Sequence, residues 1–348
     1  MPKRVLITGG AGFIGYHLAE RLSADPKTAV TLLDNLSRGR RDDQLDELLS
    51  RPNVDLVLGD VTDLRVWDAL PPEYDDVYHL AAVIGVKHVV ERPEEVVRVN
   101  ALSTLWLLDW LERSPNAKLL FSSTSEAYAW TQRFHELPVP TPEEVPLALT
   151  DLRDPRSSYA GSKIFGELAV TQACAASGRL FSIVRYHNVY GPRMGSDHVI
   201  PELYERAARG DDPLTVFSPD HRRAFCYVAD AVEATIAAMA AADGRTFNVG
   251  NDREEITIRR LAELIVQRFD PPPAIVAAEA ANDPVVRRCP DLSVTRTALG
   301  YEPKVDLAQG LDLTLSWYAR RGARLEPAAS SAPKTASDGW AVVPDPAS

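Results

Sequence analysis

A chain of 348 residues, 45% hydrophobic and 25% charged, has enough apolar material for one large folded unit or two smaller ones. Its formal net charge of -11 and sequence pI near 5.2 exclude a general affinity for nucleic acid or for an anionic membrane surface, so any anionic ligand needs a local basic pocket. Cys174, Cys226 and Cys289 are odd in number, scattered and without Cys-x-x-Cys spacing, so neither a disulfide framework nor a zinc site is indicated and a reducing cytoplasm fits best.

Residues 3–8 are a short apolar run of strand type, too short for a signal sequence, and no later stretch approaches membrane-spanning length, so the chain reads as soluble and cytosolic. Thr8-Gly-Gly-Ala-Gly-Phe-Ile-Gly15 follows this strand and opens a helix-period run from Phe13 to Leu22. In that context Gly9 permits a tight turn, Gly12 lets backbone approach a pyrophosphate, and Gly15 lets the helix pack on the sheet. The helix start, with Phe13 and Ile14, would face the phosphates. A second strand, Thr28 to Leu33, ends at Asp34, nineteen residues beyond Gly15, where a carboxylate can accept hydrogen bonds from ribose hydroxyls and repel a 2′-phosphate. NAD is therefore preferred to NADP, although Arg38, Arg40 and Arg41 could accommodate a phosphate.

Strands follow at Val54 to Leu58, ending in Gly59-Asp60, at Asp76 to Leu80 and at Lys118 to Ser122, with helical segments between them, notably Glu94 to Glu112. This alternation predicts an α/β fold, a Rossmann-type doubly wound parallel sheet with ligands at the strand ends. The proline-rich and acidic stretch 129–156 is expected to lie over the site and not in the core. A helix over 156–177 puts Tyr159 and Lys163 one turn apart on one face, where an ammonium can favour the phenolate of a tyrosine that otherwise titrates near 10. After a strand at Leu180 to Arg185 the pattern becomes irregular: helices near 200–209, 228–241 and 258–269, and extended segments at 214–217 and 246–249. We expect a cofactor-binding domain over 1–180, with a later segment near 228–250 interleaved, and a smaller C-terminal lobe over 181–326. Residues 327–348, with Trp340, read as a disordered tail.

Taken singly these signals have plain alternatives, such as a glycine turn without a ligand or a surface Tyr-x-x-x-Lys. Their order is more specific. Thr8 to Gly15, Asp34-Asn35-Leu36, Gly59-Asp60-Val61, His79-Leu80-Ala81-Ala82, Asn100, Ser122 to Glu126, Tyr159 to Lys163 and Arg185 to Pro192 together resemble the extended short-chain dehydrogenases, the nucleotide-sugar epimerase, dehydratase and decarboxylase family. The resemblance covers about residues 3–320. It implies a bound NAD, a nucleotide diphosphate sugar held by the smaller lobe, and a homodimer. It also implies cofactor contacts from Asn35, Asp60, Val61, Leu80, Ala81, Ala82, Asn100, Tyr159 and Lys163, with Asn100 equally readable as a satisfied structural amide. Asn188, Arg223 and Arg288 match phosphate-binding positions, and arginine suits a diphosphate because its planar fork donates twice. His187 departs from the more usual Phe and reads as a buried hydrogen-bonded histidine or as a reshaped sugar pocket.

By the same resemblance Tyr159, with Thr124 on the same hydroxyl, oxidises the sugar at C4 with NAD⁺ as hydride acceptor. Glu126 then places a carboxylate beside C5 and C6. Ser125 stands where 4,6-dehydratases carry an acid, and Thr-Ser-Glu is similar to the pattern of UDP-glucuronate decarboxylases, so decarboxylation of a UDP-sugar leads. A 4,6- or 5,6-dehydratase, a 4-epimerase, and more remotely a non-catalytic NAD-binding sensor stand as alternatives.

Overall fold

The computed structural model describes residues 2–133, 136–278 and 285–321. The expected tail with Trp340 lies outside the described residues. In chain order the first half comprises β1 (Lys3–Thr8), α1 (Phe13–Leu22), β2 (Thr28–Asp34), α2 (Asp43–Leu49), β3 (Val54–Leu58), α3 (Leu64–Ala69), β4 (Asp76–His79), α4 (Val86–Glu91), α5 (Pro93–Leu111), β5 (Lys118–Thr124), a 3₁₀ turn at Ser125–Tyr128 and α6 (Ser157–Ser177). The second half comprises β6 (Phe181–Tyr186), β7 (Val189–Tyr190), α7 (Val199–Ala208), β8 (Leu214–Phe217), β9 (Arg222–Ala224), β10 (Cys226–Tyr227), α8 (Val228–Ala241) and β11 (Thr246–Val249). It ends with β12 (Glu255–Thr257), α9 (Ile258–Val266), β13 (Ile275–Ala278), β14 (Arg287–Arg288), α10 (Ser293–Leu299) and α11 (Leu307–Arg321).

Seven strands make one parallel sheet in the order β11-β6-β5-β4-β1-β2-β3. Both faces are covered, which is why Val5, Leu6 and Ile7 are all fully buried despite pointing alternately to opposite sides. Leu6 belongs to the core beneath α3, α5 and α6, whereas Val5 and Ile7 belong to the core beneath α1, α2 and α8. Strand order reverses between β1 and β4, and the crevice at that switch point is where ligands enter such sheets. The last strand comes from late in the chain: Thr246–Val249 pairs with β6 at the sheet edge.

The remaining short strands form small sheets, β12-β9-β14, β13-β8 and β10-β7, beside α7, α9 and α11. Their core is separate, built on Ile200, Leu203, Leu214, Val216, Leu261, Ile265, Leu311 and Leu315, and Phe13 packs against both this core and the sheet. The stretch 129–156 departs from expectation. Trp130, Thr131, Thr141 and Glu143 are buried, and Thr141 exchanges backbone hydrogen bonds with Cys289 and Asp291, 2.9 Å each. The Glu143 carboxylate accepts from the Asn248 backbone and the Thr141 carbonyl from the Asn248 amide, at the buried end of β11, so this part of the stretch is wall and not cover.

Candidate active site

The cofactor half sits at the ends of β1, β2 and β4. Gly9 has φ +69°, and a Cβ there would lie 2.8 Å from the Ala81 nitrogen; a Cβ at Gly15 would lie 2.2 Å from the Gly9 carbonyl. The turn is thus a bare backbone cradle. Gly12 caps α1 with no side-chain bond, which leaves the first-turn N–H groups directed at the crevice. Asp34 is buried and accepts from the backbone of Ala11 (3.0 Å) and Leu36 (2.7 Å); burial raises its carboxyl above the usual range while these bonds draw it back. Arg41 pairs with Asp46 at 2.9 Å, and Arg38 turns away to donate to the Ile84 carbonyl, with Asp197 3.8 Å from it. The three arginines that could have held a 2′-phosphate thus all have other partners.

Asn35 donates to Asp60 (3.0 Å), whose other oxygen takes the Thr62 backbone (2.8 Å) and hydroxyl (2.7 Å); these bonds outweigh desolvation and hold the Asp60 carboxyl below its usual range. The Val61 carbonyl accepts from Trp67 at 2.8 Å. Leu80 and Ala81 are tied by their nitrogens to the carbonyl and hydroxyl of Thr8, 3.1 and 3.3 Å, with Ala82 next in the same loop. Asn100, buried on α5, holds that loop through Val83 N (2.8 Å) and Val83 O (3.2 Å) and reaches Ser162 on α6 at 3.0 Å. Its amide has protein partners on both its oxygen and its nitrogen.

The candidate catalytic half gathers the end of β5 and the first turns of α6. Thr124 hydrogen-bonds the Tyr159 phenol and, at 3.2 Å, accepts from the Glu126 backbone. Burial pushes the Tyr159 phenol well above its ordinary value and the Glu126 charge adds to this, while the Thr124 bond and the Arg38 guanidinium draw it down. The Lys163 ammonium bonds to the main chain. It donates to the Ser122 carbonyl at 2.7 Å and lies 5.0 Å from the centre of the Phe121 ring, and burial lowers it to about 8 against the raising field of Glu167. Ser125 is buried in the 3₁₀ turn.

The four candidate substrate residues separate. Arg288 Nη1 meets Glu126 Oε1 at 2.5 Å, so this guanidinium lies beside the candidate catalytic carboxylate. Arg223 is buried and donates to the carbonyls of Arg222 (2.9 Å) and Val286 (3.2 Å). Asn188, at φ +39°, donates to the Ala224 carbonyl at 3.0 Å. His187 is fully buried: Nε2 meets Asn248 at 2.9 Å, Nδ1 finds no partner among the described residues, and burial lowers the ring to about 3. Among the described residues there is no group of three potential metal ligands and no helix long and apolar enough to cross a membrane.

Sequence reasoning overlooked Glu167 and the buried role of Arg185, which form an ion pair of 2.5 Å beneath Ser123. The signals were present: a charged residue within the apolar strand FSIVRY, and a carboxylate one turn beyond Lys163.

A model of the family described as "NAD dependent epimerase/dehydratase family" matches residues 5–250. The chain is 34% identical over 318 residues to UDP-glucuronic acid decarboxylase 3 of Arabidopsis thaliana, covering 89% of this chain and 87% of that protein. It is 34% identical over 329 residues to UDP-N-acetyl-alpha-D-glucosaminuronate decarboxylase of Bacillus cytotoxicus, covering 91% and 98%. Among solved structures, a UDP-glucose 4-epimerase of Thermotoga maritima with UDP-glucose superposes with a TM-score of 0.79 at 29% identity, covering 91% of this chain and 99% of that one.

Proposed function

The chain belongs to the NAD dependent epimerase/dehydratase family, and from that footing we propose that it oxidises a UDP-uronic acid at C4 and then releases the C5 carboxylate as CO₂, the reaction of a UDP-glucuronate decarboxylase. The observation that carries this reading is the Arg288 guanidinium against Glu126, in the same site as Thr124 and Tyr159. A cation fixed beside the C5 and C6 region recognises a carboxylate substituent there, which a hexose lacks. This moves Arg288 from the diphosphate, where motif position had put it, to the sugar acid; Arg223 and Asn188 retain the diphosphate assignment. That both decarboxylase relatives act, by name, on uronic acid sugars supports the same choice.

The bare turn at Gly9 and Gly15, with Asp34 beyond it, fits a dinucleotide. NAD, when bound, supplies the reversible oxidation of the C4 hydroxyl. Tyr159 takes the C4 hydroxyl proton, with Thr124 holding that oxygen, and Lys163 lends positive charge to the site. The C4 ketone makes the sugar a β-keto acid: the C5–carboxylate bond breaks, its electrons pass into the enolate, and CO₂ leaves. Glu126 and Ser125 flank C5 to govern the proton that the enolate then takes up, and the ketone is reduced again.

Val97 and Leu105 on α5 and Phe165 and Leu168 on α6 are exposed, between 39% and 58%, on two helices that pack together. This apolar face supports a homodimer built on α5 and α6. Three unpaired buried cysteines support a reducing, cytoplasmic setting. The deciding experiment incubates NAD-loaded protein with UDP-glucuronate and other UDP- and dTDP-sugars and follows product mass. Loss of CO₂ from UDP-glucuronate is expected; loss of water, or an unchanged mass with an inverted C4, would replace this reading with a dehydratase or an epimerase.

A further inference from the structure

The Arg185–Glu167 ion pair lies outside the cofactor turn and the arginines assigned to substrate, yet both flanks of the Thr124-Ser125-Glu126 segment end on it. Ser123 Oγ donates to Glu167 Oε1 at 2.5 Å. Arg185 holds the same carboxylate through Nε (2.8 Å) and Nη2 (2.5 Å), and its Nη1 donates to the Tyr128 hydroxyl (2.8 Å) and the Glu143 carbonyl (2.9 Å). Tyr128 in turn donates to Asn248 at 2.9 Å, and its ring lies 5.0 Å from the guanidinium. The two charged side chains are 6% and 9% exposed. A buried pair of this kind is often no more stable than a well-packed apolar pair of the same volume, so stability is a weak reason for its presence. Geometry offers a better one.

We propose that Arg185 and Glu167 are positioning residues for the proposed reaction. Together they clamp Ser123 and Tyr128, which bracket Thr124, Ser125 and Glu126, onto the helix that carries Tyr159 and Lys163. The clamp rests on the reading of those residues as the reacting set. It fixes the oxidising pair and the Glu126 carboxylate to one rigid unit, so both steps meet the sugar in register.

Glu167 has a second effect, because it lies one turn beyond Lys163 on the same helix. Facing the ammonium are Glu167 from α6, the Ser122 carbonyl and Phe121 ring from β5 and His79 from β4, with Arg185 from β6 acting through Glu167. Burial, then Lys163, lowers His79 to about 3, so it is neutral. Glu167 is the carboxylate that holds the lysine proton on against burial. Removing its charge releases that proton at lower pH, and the alkaline limit of activity moves down.

The test compares Glu167→Gln, Ser123→Ala, Tyr128→Phe and the double variant Glu167→Gln/Arg185→Met with wild type, all loaded with NAD. With UDP-glucuronate, Glu167→Gln is expected to lower kcat by about 10- to 100-fold with KM within roughly threefold, and to shift the alkaline limb down by about one pH unit. Ser123→Ala and Tyr128→Phe, which bury no lone charge, should lower kcat by about three- to tenfold. The double variant should lie closer to wild type in pH profile than Glu167→Gln, because no unpaired guanidinium remains. Wild-type kcat and pH limb in folded Glu167→Gln, Ser123→Ala and Tyr128→Phe would overturn the proposal, as would losses that track only the folded fraction. If wild type turns over no nucleotide sugar, the functional reading fails by itself. The Lys163 titration, followed by ¹³C NMR of labelled lysine side chains, then decides alone: a lower midpoint in Glu167→Gln supports the clamp, and an unchanged one sinks it.

Discussion

Gly166 sits near the middle of α6, three residues beyond Lys163, and replacing it with alanine sets two effects against each other. Helix propensity favours alanine over glycine by about 1 kcal/mol in a helix interior. Against this, the new Cβ would lie 2.3 Å from Phe121 Cζ and 3.0 and 3.1 Å from Cε1 and Cε2. Carbon contacts settle near 3.5 Å, so the ring must retreat by roughly 1.2 Å. It has little space to do so: Phe121 is 1% exposed, stacks on His79 with centroids 5.8 Å apart, and carries the Lys163 ammonium on its face. Overpacking of this kind costs about 1–3 kcal/mol, and a ring hemmed in on both sides belongs in the upper part of that range. The net loss is about 1–2 kcal/mol, which for a chain of this length is a melting temperature lower by roughly 1.5–3 °C. Because the ring displaces Lys163 from the Ser122 carbonyl, kcat should fall by about tenfold at saturating substrate. Phe121→Leu in the same chain should restore part of the lost stability. Thermal unfolding and steady-state kinetics check both figures. A Gly166→Ala protein that melts above wild type and keeps its rate would show that propensity wins, and that α6 does not lie on β5 as closely as described.

Arg288→Met should raise KM for UDP-glucuronate by at least about tenfold while changing NAD affinity, read by fluorescence titration, by less than twofold; an equal loss for uncharged UDP-glucose as inhibitor would return Arg288 to the diphosphate. Leu105→Glu combined with Leu168→Glu puts charge on the apolar α5–α6 face, and sedimentation should then report the 38.2 kDa monomer where wild type sediments at twice that mass; a monomeric wild type would remove the basis for this face as an interface.

How far the sequence could be read follows from the range of each signal. Elements with a full period of apolar residues were legible nearly to the residue: 214–217, 228–241 and 246–249 fall where the pattern puts them. Val189–Tyr190, Arg222–Ala224 and Arg287–Arg288 are strands of two or three residues, too short for any alternation, and they exist because neighbouring backbone is there to pair with. The parallel pairing of Arg287–Arg288 on Arg222–Arg223 brings the β14 segment beside β9, so the meeting of Arg288 with Glu126, 162 positions away, could not be read from local pattern. The cofactor turn was legible because its geometry is carried by consecutive residues. The ammonium of Lys163 was placed on the correct helix face, but whether it meets a phenol or a carbonyl depends on how deeply α6 sits on β5, which the glycine at 166 decides.

The position of β11 has a consequence for how the protein is made. Strands β1 to β6 are complete by residue 186, yet β6 then presents an open parallel edge until Thr246–Val249 arrives to cover it. During synthesis about sixty further residues must leave the ribosome before that edge closes, several seconds at ordinary elongation rates. A nascent chain in that interval offers unpaired backbone to any passing strand, so this is the stage at which chaperone dependence and nonsense truncation should matter most.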